Sequence, residues 1–202
     1  MASDFHTHFP APENPALISG NDLNAGNLVS LEVHPWYLPN YFDAQVIPDM
    51  ATLQPFTALG EIGLDKLRGP EPGIQIEYFT ALLKLAADCR KPVVIHCVRS
   101  FQEIFNLLKP FNIKVLFHGF RSSPELLDEL WKRKFAVSFH PAAQHIPALM
   151  SKLSAAKGIF GFESDNNPDI SISGILDSIS EKYRIKQLEK ITDQNFLDFL
   201  EI

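Results

Sequence analysis

The sequence predicts an α/β fold: a (β/α)8 barrel of the TIM type, reduced, with its first helices shortened or missing. Three observations carry that expectation. Short apolar runs of strand character recur along the whole chain. Amphipathic helical stretches separate the later ones, the alternation that gives a parallel sheet. And residues of metal-ligand type close one apolar run after another, equivalent in position though scattered in sequence.

Taken in order, the candidate strands are 3–8, 15–19, 28–34, 56–61, 92–97, 113–118, 134–139 and 158–163, which makes eight. Only 25 residues separate His8 from His34, and they are rich in Pro, Asn and Gly. Two crossover helices do not fit there, so the first connections are read as turns. From the fourth strand onward helices are well marked. Phe79, Leu82, Leu83 and Ala86 follow the i, i+3, i+4, i+7 spacing of one apolar face. The same spacing recurs in Phe101, Ile104, Phe105 and Leu108, in Ile146, Leu149, Met150 and Leu153, and in Ile172, Ile175, Leu176 and Ile179. Ser123-Pro124-Glu125 reads as an N-cap with proline at the first helical position, opening a helix with Leu126, Leu127 and Leu130 inward. At 202 residues the chain is short for such a barrel, which typically runs to about 250. A seven-stranded barrel is the structural alternative.

Composition limits what else the chain can be. Residues 1–202 read as one domain, without linker, low-complexity stretch or repeat. The net charge of −6 gives no general attraction to nucleic acid or anionic membrane, so any such contact needs a local patch or a metal. No apolar run approaches the roughly 18 residues of a membrane span, and no leader pattern opens the chain. Two cysteines, Cys89 and Cys97, are too few for a disulfide framework and suit a reducing cytoplasm. Cys97 is expected on the outer face of its strand, since His96 takes the inner one.

The ligand-type residues are His6, His8, Glu61, His96, His118 and Asp165, at strands one, one, four, five, six and eight. In a strand, residues i and i+2 share a face, so His6 and His8 can chelate one ion. Glu61 has two oxygens and can bridge two ions; His96 and His118 then complete the second, while Asp165 reaches the first and holds the attacking water. A pair of ions about 3.5–4 Å apart can supply hydroxide at neutral pH and clamp an in-line displacement. All six fall at carboxyl ends of strands, the face where barrel enzymes keep their active sites.

The motifs around these residues resemble the TatD-type metal-dependent hydrolases of the amidohydrolase-like superfamily, along nearly the whole chain. Asp4-Phe5-His6-Thr7-His8 is similar to the family's D-x-H-x-H start, and Glu32-Val33-His34-Pro35-Trp36 to its G-[IV]-H-P segment. Ala58 to Asp65 resembles the G-E-[IT]-G-L-D block, the most specific match. Lys91 to Cys97 resembles K-P-V-x-I-H-C, Phe117 to Phe120 stands at H-x-F-x-G, and Glu163 to Pro168 at E-T-D-x-P. There are departures. Phe9-Pro10 replaces Leu-Asp, Arg99 is shifted by one, Trp36 replaces a histidine, and the proline after Asp165 comes one residue late. The resemblance implies a (β/α)8 barrel, a two-metal site and hydrolysis of phosphodiesters, notably in DNA.

Other residues are expected at the mouth. His34 is either a substrate contact, as the resemblance implies, or a rim histidine bonded to a loop. Trp36 and Tyr37 either stack on a base or sugar or pack beneath a shortened loop. Arg99 and Arg121 each follow a ligand by three residues, placed to grip a phosphate or to pair with a helix. His140 follows strand seven and is a further candidate. Lys132-Arg133-Lys134 precedes strand seven and reads as a solvated helix end. The expected activity is a metal-dependent hydrolase of phosphodiester bonds, a TatD-like DNase with Asp165 and Glu61 catalytic. Two divalent ions (Zn, Mn or Mg) and a DNA or small phosphodiester substrate are expected, with no membrane or obligatory protein partner. The alternatives are a binuclear hydrolase of small-molecule amides, lactones or phosphate esters, and a non-catalytic metal-binding protein.

Overall fold

A computed structural model describes residues 2–9, 14–20, 28–49 and 55–202. Eight strands follow one another in sequence order, β1 (Asp4–Thr7), β2 (Ala16–Gly20), β3 (Leu28–Leu31), β4 (Ala58–Asp65), β5 (Val93–Val98), β6 (Val115–Phe120), β7 (Ala136–Phe139) and β8 (Phe160–Phe162). That is the strand order of a closed barrel, the expected class. The helices are α1 (Pro72–Cys89), α2 (Phe101–Leu108), α3 (Pro124–Lys132), α4 (Pro147–Met150), α5 (Ile172–Tyr183) and α6 (Leu188–Leu200). No α-helix occurs before α1 among the described residues, in keeping with a trimmed first third; Pro10 and residues 21–27 lie outside them. Among the described residues no helix is long and apolar enough to cross a membrane.

The chain forms two compact units, residues 19–115 and residues 1–18 with 116–202. In the first, β4 pairs in parallel with β3 and β5. The α1 stripe buries Phe79, Leu82, Leu83 and Ala86 as its spacing requires, with Tyr78 beside them. The helix stops at Arg90, whose left-handed φ of 55° closes it. All eight residues of β4 are buried, and the strand runs four residues beyond Glu61, where the sequence placed its end. Gly60 and Gly63 look like strand terminators, but Gly63 serves a close approach. It pairs with His96 at φ +148°, and a Cβ there would sit 2.0 Å from the His96 carbonyl oxygen.

In the second unit, β1 pairs with β2 and β8, and β7 with β6 and β8. Ser123 caps α3 by accepting from the Leu126 amide (3.3 Å), and Leu127 and Leu130 are buried. The α5 stripe is buried throughout. The stretch 146–153 departs from the single helix its spacing suggested. After a 3₁₀ turn (Pro141–His145) it holds only the one-turn α4 and the start of another 3₁₀ turn (Leu153–Ala155). Pro147 stands in the first turn of α4, a position proline suits, and confines Ile146 to extended backbone, so the helix starts no earlier; nothing in the structure explains its end at Met150. The helix α6 was not foreseen. Its buried face contains Thr192 while Ile191 and Leu197 are exposed, which blurs the apolar stripe. Phe196 still meets Phe5 edge-on at 5.3 Å, and burying a ring of that size contributes about 1.5–3 kcal/mol. Asp193 ties α6 to the start of β1 by accepting from the Ser3 amide (2.8 Å) and hydroxyl (2.7 Å).

Candidate metal centre

In the unit that holds β1 and β8, His6, His8 and Asp165 converge. β1 and the end of β8 are stitched together: the Asp165 amide donates to the His6 carbonyl (3.0 Å) and the His8 amide to the Asp165 carbonyl (3.1 Å). Asp165 itself has φ 53°, a left-handed conformation that Asp and Asn tolerate better than most residues. Below this rung, the buried Asp4 carboxylate accepts from the Ser164 amide (3.1 Å), the Ser164 hydroxyl (2.7 Å) and the His6 amide (3.2 Å). Burial is the larger influence on Asp4 and pushes it up to about 6 against those bonds. The result is that Asp165 Oδ1 lies 3.9 Å from His6 Nε2 and 3.7 Å from His8 Nε2. Those separations are too long for hydrogen bonds. They are close to what two ligands of one tetrahedral ion show, roughly 3.3–3.6 Å for bonds of about 2.0–2.2 Å. The three residues each offer a ligand atom within 4.8 Å of one another. This donor set fits a divalent transition metal.

His118, on β6, stands beside them, its ring centroid 4.5 Å from that of His6. Its Nδ1 lies 3.5 Å from Glu163 Oε1. Glu163 is fully buried and also accepts from the Ser138 hydroxyl. Burial alone would raise its pKa, but His118, His6 and Ser138 together hold the carboxyl below its ordinary value.

In the other unit, His34, Glu61 and His96 form a second group, again with ligand atoms within 4.8 Å of one another. The hydrogen bonds separate their roles. His96 Nε2 lies 3.1 Å from Asp65 Oδ2, while its Nδ1 lies 3.3 Å from Glu61 Oε2. The Asp65 carboxylate accepts from Nε2–H, which turns the Nδ1 lone pair toward Glu61, the outer-carboxylate arrangement usual for metal-binding histidine. His34 is the reverse. Its Nδ1 accepts the Trp36 amide (3.1 Å), so its neutral ring carries the proton on Nε2, 3.4 Å from Glu61 Oε2 and 3.3 Å from His96 Nδ1. His34 is therefore a hydrogen-bond donor here and not a ligand, despite its place in the cluster.

Asp65 and Glu163 were not singled out as site residues by sequence. The signal was present: Asp65 is four residues after Glu61 and Glu163 two before Asp165, the spacing that in a regular strand brings side chains to one face. Burial works to raise Asp65, but the Trp36 indole N–H, the Leu67 amide and His96 outweigh it and hold its pKa down. One oxygen serves both His96 and Trp36 (2.6 Å), the other Leu67 (2.7 Å). An amide in its place must turn its NH₂ toward one of these donors. Asp65→Asn is expected to weaken divalent-metal binding roughly 10–100-fold, the usual cost of losing such an outer partner. Metal titration of the folded variant checks this, and wild-type affinity would refute the role.

The remaining candidates are placed as follows. Arg99 and Arg121 are exposed, immediately after β5 and β6. Trp36 has its N–H committed to Asp65, with the Arg68 guanidinium 4.0 Å over its ring. His140 caps a 3₁₀ turn by accepting from the Ala142 amide (3.0 Å). Lys132, Arg133 and Lys134 are exposed at the α3 end, with Arg133 paired to Glu129 at 2.6 Å, a solvated helix end as expected. Cys97 is half-buried and its thiol is pushed up to about 12, mainly by burial, so it supplies no thiolate.

Comparison with known proteins adds the following. Residues 23–200 match the family model described as TatD related DNase; His6 and His8 precede the matched stretch. The chain is 34% identical over 102 residues to the 3'-5' ssDNA/RNA exonuclease TatD of Yersinia pseudotuberculosis, covering 48% of this chain and 39% of that one. It is 31% identical over 107 residues to the human 3'-5' RNA nuclease TATDN2, covering 49% of this chain and 14% of that one. The chain thus spans less than half the length of these relatives. The crystal structure of YJJV, a TatD homolog from Escherichia coli K12, matches with a TM-score of 0.74 at 17% identity, over 100% of this chain and 98% of that one. At that identity the match establishes the fold, a TIM barrel.

Proposed function

From the membership of this chain in the TatD-related DNase family, we propose that it is a divalent-metal-dependent hydrolase of phosphodiester bonds in nucleic-acid strands. The observation that carries the reading is the convergence of His6, His8 and Asp165 at separations suited to a shared ion and too long for hydrogen bonds. His6, His8, Glu61, His96, His118 and Asp165 are the proposed ligand set, for two ions drawn from Zn, Mn or Mg. When bound, the ions acidify water and neutralise charge developing on the phosphoryl oxygens. The protein does the rest. Asp165 orients the attacking water and takes its proton. Asp65 and Glu163 hold the His96 and His118 rings. His34, beside Glu61 and His96, and the exposed Arg99 and Arg121 are the proposed substrate contacts. Two free cysteines suit a reducing compartment, so the cytoplasm is the proposed location.

The test is turnover of bis-p-nitrophenyl phosphate, single-stranded DNA and RNA, with and without added divalent metal, alongside elemental analysis. Expected are about two ions per chain and hydrolysis that chelation abolishes. A metal-loaded sample inert towards all three substrates would overturn the reading.

A further inference from the structure

The rim beside His34 holds features that the hydrolytic chemistry does not use. Tyr37 is 74% exposed, yet its ring centroid lies 5.7 Å from that of His34. An exposed guanidinium, Arg68, lies 4.0 Å over the Trp36 ring. Trp36 is itself fixed by Asp65 (2.6 Å), the same carboxylate that holds His96. Arg68 is thus connected to a proposed metal ligand through three successive contacts.

The loop carrying Arg68 is also fixed. The buried Gln75 side chain accepts from the Asp65 amide (2.8 Å), and its two N–H groups are shared among the carbonyls of Asp65 (2.9 Å), Arg68 (3.1 Å) and Pro70 (2.7 Å). Gly69, at φ +90°, lies so close to the turn before Trp36 that a Cβ would sit 2.4 Å from the Pro35 carbonyl oxygen. The Pro35–Tyr37 turn and the β4–α1 loop therefore form one braced edge. It presents an aromatic ring beside that of His34 and a cation over Trp36.

We propose that Tyr37 and Arg68 form a nucleotide subsite for single-stranded nucleic acid, Tyr37 stacking on a base and Arg68 gripping a backbone phosphate. The subsite rests on the hydrolase reading above and adds a binding role to residues outside the ligand set. A single strand fits because its bases are free to stack on an aromatic side chain, which a duplex denies. The guanidinium fits because its planar fork matches a phosphate and tolerates stacking on Trp36 in the same pose. In a chain of net charge −6, a cation held in place beside the site supplies the local attraction that the whole protein lacks.

The test is fluorescence anisotropy with metal-free protein, where no strand is cut. The probes are a labelled oligothymidylate and an abasic strand of equal length. Tyr37→Ala is expected to weaken oligothymidylate binding about tenfold, or about 1.4 kcal/mol, and the abasic strand less than twofold; Tyr37→Phe keeps the affinity. Arg68→Ala is expected to weaken both strands about tenfold and to reduce the slope of log affinity against log salt by about 0.7. Equal losses on the two strands for Tyr37→Ala, no loss for Arg68→Ala, or a wild-type protein that binds neither strand would overturn the subsite. Turnover of bis-p-nitrophenyl phosphate by metal-loaded wild-type protein is scored separately. Turnover with unchanged binding in the variants removes the subsite and leaves the hydrolase. The expected binding pattern with no turnover of any diester does the opposite.

Discussion

Asp165→Asn is expected to lower kcat for a phosphodiester by about 10²–10⁴-fold, the range a positioned general base contributes, while the protein stays folded. The fold is spared because the segment is held by its main chain: the Asp165 amide and carbonyl both pair with β1. Asparagine also accepts the φ of 53° as readily as aspartate does. What changes is the carboxylate. Its Oδ1 faces both His6 and His8, and an amide has neither the charge to share an ion with them nor a lone pair basic enough to take a proton from water. Steady-state kinetics, thermal melting and metal content on the same preparation separate the causes. A folded, metal-loaded variant turning over at wild-type rate would remove Asp165 from the chemistry.

Gly63→Ala is expected to be the most damaging small substitution in the chain, costing roughly 3–5 kcal/mol or preventing folding. Two penalties combine. The φ of +148° suits glycine, and the added methyl carbon meets the His96 carbonyl oxygen at 2.0 Å. That oxygen is backbone in the neighbouring strand and cannot swing aside as a flexible side chain would. Relief requires β4 and β5 to part at the rung where Gly63 pairs with His96, displacing a proposed ligand. Since a domain's whole stability is about 5–15 kcal/mol, the loss would be plain in chemical denaturation. A change below about 1 kcal/mol would mean that the strands yield more easily than their pairing suggests.

The strands and the candidate ligand residues were readable in the sequence because both follow simple rules. A buried parallel strand is an apolar run, and a polar residue closing several such runs has little reason to be there without a shared task. His6, His8, Glu61, His96, His118 and Asp165 were legible in that way. The end of β4 was not, because glycine is both a turn signal and the residue that lets strands approach, and only the neighbouring His96 carbonyl distinguishes the two. Asp65 and Glu163 were masked by a different ambiguity: same-face spacing makes a carboxylate available to an imidazole, but not which carboxylate ligates and which one orients. The distinct tautomers of His34 and His96 depend on the Trp36 amide and Asp65, contacts between segments far apart in sequence. The 146–153 stripe misled because apolar spacing alone does not show whether a helix runs on or breaks into single turns, and α6 was overlooked because a threonine lies in its buried face.

The Gln75 clamp has a consequence for redesign. A loop whose carbonyls at three positions are bonded to one buried amide cannot change length without leaving that amide unsatisfied, so the β4–α1 connection is a poor place to graft a new recognition segment. The turn after β6 is a better graft point. Arg121, Ser122 and Ser123 are all exposed there, and the capping role of Ser123 can be supplied again at the end of an insert. Transplanted specificity loops should therefore enter beside α3 and leave the edge beneath Arg68 untouched.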